Sequence, residues 1–217
     1  MTKKIMFNDK YCLTQAVLDG TKTMTRRKFT LTLDKKVDGK LIRVYPSKVF
    51  FDNGKWLFDY DGKTYFLPKE NYPAYKVGEV VAVAQSYKTI YDELESQGNW
   101  VANEWWCSAW DIVGGGLDTS AGYRNKMFVR ADFMIHHIRI TDVKVERLQD
   151  ISDGDILKEG VFQFDELFYV SKNIGYAHEV AFPTAREAFW YLIDKVSGNG
   201  TWESNPWVVA YSFELVD

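Results

Sequence analysis

Apolar positions recur along the chain with two periods, and each change of period marks a new element. After a short apolar segment, Lys4 to Phe7, the residues Leu13, Ala16 and Val17 fall at helical spacing. Asn8 and Asp9 are suited to cap such a helix and Gly20 to stop it. Farther on, Val49 to Phe51, Trp56 to Tyr60 and Thr64 to Leu67 are bulky runs separated by Asn53-Gly54 and Asp61-Gly62. Those dipeptides accept the positive φ of two-residue hairpin turns, so the stretch predicts a β-meander. Val80 to Val83 is a β-branched run fed by the turn Lys76-Val77-Gly78-Glu79, and Phe128 to Val145 alternates bulky apolar with polar residues, so both predict central strands. Between them, from about Tyr87 to Asn125, periodicity weakens around Trp100, Trp105, Trp106, Trp110 and Gly114-Gly115-Gly116, which predicts an inserted lobe. Ser152 ahead of Asp153-Gly154-Asp155 predicts a short helix ended by Gly160. Thr184 with Glu187 is a capping box before Phe189, Leu192, Ile193 and Val196 on one helix face. Trp207 to Leu215 predicts a last strand.

Strands at both ends and in the middle, with few and short helices, predict an α+β fold that is mainly antiparallel, in a curled sheet that closes on itself. No repeat and no Pro/Gly/Ser linker divides the 217 residues, so 1–217 reads as one domain. Within it, residues from about 30 to 75 form the meander elaboration and 87–125 the Trp-rich insertion. A hydrophobic share of 46% with 26% charged residues excludes disorder and coiled coil. The 8 Trp, 13 Tyr and 14 Phe exceed what a core of this size needs, so some line a cavity or cover a sheet.

Charge and cysteine usage narrow the function. A net charge of −3 argues against a whole-surface grip on duplex DNA, so any nucleic-acid contact is local. Two cysteines, Cys12 and Cys107, are too few for a disulfide framework, no charged-then-apolar leader precedes them, and no apolar run spans a bilayer. A cytoplasmic protein without a membrane partner is the expectation. His136 and His137, adjacent in an expected strand, point to opposite faces, and with His178 they do not make a zinc site by themselves. No metal and no organic cofactor is expected.

The densest polar cluster is Gly20-Thr21-Lys22-Thr23-Met24-Thr25-Arg26-Arg27-Lys28, with four cations in seven residues. By composition alone it reads as a solvated loop at a helix C-terminus, where cations gain dipole energy. Its arginines Arg26 and Arg27 offer forks that match anionic oxygens, which makes them candidates for phosphate contact. Glu159, at the end of its short helix, meets the negative pole of the dipole; it reads as exposed and screened unless a cation such as Lys22 is its partner.

The run Gly20 to Arg27 resembles the signature loop of ASCH domains, a branch of the PUA-like β-barrel superfamily. Tyr75-Lys76-Val77-Gly78-Glu79-Val80-Val81-Ala82-Val83 is similar to that family's turn and second barrel strand. Ile151 to Gly160 resembles its short acidic helix, and Asn205-Pro206-Trp207-Val208-Val209 its closing strand. Four blocks in the family's order cover about half of the chain. At one place the sequence departs from the pattern: Gln85-Ser86-Tyr87 stands where many members have a glutamate and then an aromatic.

The resemblance implies a PUA-like pseudo-β-barrel with a cleft between the Gly20 to Arg27 loop and the helix ending at Glu159. Its expected partner is a nucleobase, nucleoside or single-stranded RNA, with Arg26, Arg27, Gln85 and Tyr87 as ligand-binding candidates. Some members are amidohydrolases acting on N4-acetylcytidine, and their lysine, threonine and glutamate match Lys22, Thr25 and Glu159. In that alternative Lys22 is the base, Thr25 the nucleophile, and Glu159 holds the lysine or shuttles protons. A third alternative makes the chain a protein-interaction or assembly module that uses its Trp-rich lobe.

Overall fold

The computed structural model describes residues 3–37, 40–170 and 180–216. The chain opens with β1 (Lys4–Ile5), α1 (Leu13–Leu18) and β2 (Met24–Lys28). Asn8 caps the single turn Asp9–Tyr11 ahead of α1 by accepting from the Lys10 amide, and the chain enters α1 through Cys12 at φ 53°. The asparagine expected to start the helix therefore serves the turn before it. At the other end the Gly20 amide bonds the Val17 carbonyl and the Thr21 amide the Ala16 carbonyl, with Gly20 at φ 69°. That double closure turns the chain sharply into Lys22 and β2.

Two small antiparallel sheets follow: β3 (Leu33–Val37) with β4 (Lys40–Val44), then the meander β5 (Lys48–Asp52), β6 (Lys55–Tyr60) and β7 (Lys63–Phe66). Its turns place Asn53, Gly54, Asp61 and Gly62 all at positive φ, as the dipeptides demand. The chain continues with β8 (Val80–Val83), α2 (Tyr87–Gln97), α3 (Asn99–Val113), β9 (His137–Arg147), α4 (Asp153–Lys158), the hairpin β10 (Phe162–Phe164) and β11 (Leu167–Tyr169), α5 (Ala185–Ser197), α6 (Thr201–Ser204) and β12 (Trp207–Leu215).

The main sheet has the order β1-β8-β9-β12-β2. Only β1 and β8 run parallel; the other three pairings are antiparallel, so the sheet is mixed and the molecule α+β. Among the described residues this sheet stays open, with β1 and β2 as its edges, where closure on itself was expected. One sequence expectation was also too long: Phe128 to His136 does not extend the strand. Two single turns, Lys126–Phe128 and Ala131–Phe133, occupy that segment. Its apolar residues are not strictly alternating, and Val129, Phe133 and Met134 pack into the lobe instead of the sheet.

β8 is the wall between two cores. Val81 and Val83 face the main core, and Ala82 and Ala84 face the core of the lobe formed by α2 and α3. The lobe core contains Tyr87, Ile90, Leu94 and Leu117, with Trp105 and Trp106 packed against it, whereas Trp100 is 73% exposed. Aromatics on both sides of α3 blur its period, which is why the pattern did not announce a helix. In α5, Thr184 accepts from the Glu187 amide, and Phe189, Leu192 and Ile193 are buried while Val196 stays exposed. No helix of the described residues is long and apolar enough to cross a membrane. His178 lies outside the described residues.

Candidate functional site

Two constellations gather polar side chains. In the first, the C-terminal ends of α1 and α4 meet. The Thr23 amide donates to the Lys158 carbonyl, which seats the loop after α1 on the last turn of α4. Lys22, 2% exposed, then reaches under that turn. Its Nζ donates to the Glu159 carbonyl at 2.6 Å, the Glu159 Oε2 at 2.8 Å and the Met24 carbonyl at 2.7 Å. Three acceptors match the three protons of an ammonium, and the cation sits at the negative pole of α4. Gly160 makes room for it: at φ 99°, a Cβ there would meet Leu13 at 2.8 Å and Lys22 at 3.6 Å.

Arg26 extends the network. Its Nη1 donates to Glu159 Oε1 at 3.0 Å, and Nε and Nη2 donate to Glu146 Oε1 at 2.9 and 2.6 Å. Asp155 Oδ2 lies 3.5 Å from Nη2, and Lys144 Nζ lies 2.5 Å from Glu146 Oε2 as an ion contact without hydrogen-bond alignment. Two buried cations are thus matched by two buried carboxylates, the condition under which charges survive in an interior. The reading of this run as a solvated loop is overturned: Lys22, Thr25 and Arg26 are all buried, because the partners arrive from β9 and α4. The same holds for Glu159 as an exposed carboxylate.

Burial pushes the Lys22 ammonium below its ordinary value; Glu159, by charge and hydrogen bond, opposes that, and Arg27 and Arg26 add to it. Thr25 occupies the next position of β2 and pairs with Tyr211. Its hydroxyl makes no hydrogen bond to Lys22 or Glu159. Arg27 donates from Nη2 to the Met6 carbonyl and stacks 5.5 Å from the Phe7 ring centre, leaving its buried Nε without a partner. Of the two arginines that sequence offered for phosphate, Arg26 is enclosed by carboxylates and Arg27 is only half-buried.

The second constellation lies across α1 in a cleft of about 690 Å³ between α1, the end of β8 and α2. Gln85, just past β8 and 2% exposed, donates from Nε2 to Glu93 Oε2 at 2.9 Å. The other oxygen of Glu93 lies 2.5 Å from His136 Nε2. Gln85 Oε1 and His136 Nδ1 are buried without a hydrogen-bond partner. Glu93 is set in place by the helix start: Ser86 caps α2 by accepting from the Thr89 amide, and Glu93 follows two turns later on the face toward β8. Tyr87, the neighbour of Gln85 in sequence, does not line this cleft; it is fully packed in the lobe core, edge-on to Phe133 at 5.9 Å.

Sequence reasoning brought out Lys22, Arg26, Glu159 and Gln85 but missed Glu146, Asp155, Glu93 and His136 as their partners. For Glu146 the signal was a carboxylate flanked by Val145 and Leu148 at the end of a strand-like run; for Glu93 there was none without the fold. No family model, curated protein or solved structure matches this chain.

Proposed function

We propose that this chain recognises a nucleobase or nucleoside, as an ASCH-like member of the PUA-like group, and that the ligand sits in the cleft walled by Gln85, Glu93 and His136. The observation that carries the reading is the pair of unpartnered buried atoms, Gln85 Oε1 and His136 Nδ1, on residues that line one cleft. An unsatisfied buried polar atom costs about 1–3 kcal/mol, so a site that keeps two of them gains from a ligand that supplies the missing partners. Gln85 is oriented by the hydrogen bond its Nε2 donates to Glu93, which leaves its oxygen as an acceptor. With Nε2–H donated to the Glu93 carboxylate, a neutral His136 presents Nδ1 as a second acceptor. The matching ligand edge carries donors, such as an exocyclic amino group beside a ring N–H.

Titration calorimetry with guanosine, cytidine, adenosine and uridine tests this. Guanosine, whose 2-amino group stands beside its N1–H, binds most tightly, and cytidine, adenosine and uridine, each lacking one of the two adjacent donors, bind more weakly; Gln85→Leu and His136→Phe each lower guanosine affinity about tenfold, in line with one lost hydrogen bond. No binding by any nucleoside, or affinity unchanged in both folded variants, overturns the reading.

The 2.8 Å contact of Lys22 with Glu159 favours a second reading, an N4-acetylcytidine amidohydrolase. For that chemistry Lys22 has to release a proton and hence one of its three acceptors, and Thr25 has to reach it. Cytidine release from N4-acetylcytidine that disappears in Thr25→Val, a near-isosteric change, is the result that favours it.

A further inference from the structure

A second and larger cleft, of about 850 Å³, separates the meander from the main sheet. Its aromatic wall includes Phe51 of β5, 56% exposed, and Tyr72, ahead of β8 and 39% exposed. Phe51 packs beside Trp56, its cross-strand partner on β6, at 5.2 Å between ring centres. Around these rings stand Lys3, Lys48, Lys76 and Lys144 against the carboxylates of Glu79 and Asp142, a positive rim on a chain whose net charge is −3. Lys3 is 2.9 Å from Glu79, and Lys144 contacts Glu146. Lys48 and Lys76 form no salt bridge among the described residues; Lys48 Nζ lies over the Phe50 ring at 4.8 Å, and Lys76 stands near Glu79, which Lys3 already pairs, so neither ammonium is tied to a carboxylate of its own.

We propose that this cleft takes a short segment of single-stranded nucleic acid, with bases stacked on Phe51 and Tyr72 and flanking phosphates held by Lys48 and Lys76. An exposed aromatic face accepts any unstacked base, and the unpaired ammonium groups at its margin supply the electrostatic grip. A paired duplex offers no free base face. A neutral apolar peptide would use the rings and leave the lysines unmatched. This surface shares no residue with the Gln85 cleft and stands independently of the nucleoside reading.

Fluorescence anisotropy of labelled oligouridylate and oligothymidylate, about ten nucleotides long, tests the proposal. Both bind at low salt, and affinity falls as salt rises. Lys48→Glu with Lys76→Glu weakens binding at least about tenfold, and Phe51→Ala and Tyr72→Ala each weaken it about fivefold or more. The double charge reversal leaves nucleoside binding intact, which separates failure of this surface from failure of the Gln85 cleft. No oligonucleotide binding, or binding insensitive to the charge reversal and to both ring deletions, overturns the proposal. Saturable binding of an acidic peptide without any binding of oligonucleotide assigns the cleft to a protein partner and overturns it as well.

Discussion

Lys22 shows how one side chain changes meaning with its surroundings. Beside Arg26, Arg27 and Lys28 it looks solvated; in the fold it closes the C-terminal turn of α4 from a residue 137 positions away. The cluster of cations was visible in the sequence, and so was Glu159 as a possible partner. Their burial was not, because it depends on Glu146 and on the meeting of two helix ends, neither of which is a local property. Removing one member of such a network leaves an uncompensated charge in the interior, so Glu159→Ala is expected to lower stability by about 3–5 kcal/mol in urea unfolding. Lys22→Met combined with Glu159→Leu removes both charges and costs less than the two single changes together; additive losses would show that the contact carries no coupling.

Elements with strong local chemistry were legible: the meander turns at Asn53-Gly54 and Asp61-Gly62, the Ser152 and Thr184 caps, β8 and β12. α2 and α3 were read only as a lobe, because their aromatics face both inward and outward. A carboxylate in the first turn of α4, Asp155, faces Arg26 at 3.5 Å. Asp155 is partly desolvated, which raises its affinity for a proton, but Lys158, Arg26 and Ser152 outweigh this and hold it below the usual aspartate range. Its unfolded form therefore takes up a proton at higher pH than its folded form does. The stability it contributes is present at neutral pH and is lost as pH falls through the folded value. Asp155→Asn should lower the melting temperature at pH 7, and the gap to the unmodified protein should close toward about pH 2. A gap that persists there would mean that the side chain acts by packing alone.

At the scale of the molecule, β8 joins two cores of unequal size, and the smaller one under α2 and α3 has the lesser reserve. Leu117, wholly buried in it, is expected to cost about 2–5 kcal/mol on replacement by alanine. Hydrogen exchange should then quicken in α2 and α3 while β9 and β12 keep their protection, since the lobe can open without the sheet. Equal acceleration everywhere would instead make the two cores one cooperative unit. Chain order adds a constraint of a different kind. Among the described residues β2 bonds to no strand but β12, so residues 24–28 wait for residues 207–215. On the ribosome, the basic strand and the interior charges of Lys22 and Arg26 remain without their final enclosure until residues 207–215 have been made. At 5–20 residues per second that is an interval on the order of ten seconds or more, and Glu146 and Glu159 are present only for its last part, before β12 arrives to complete the sheet that buries them.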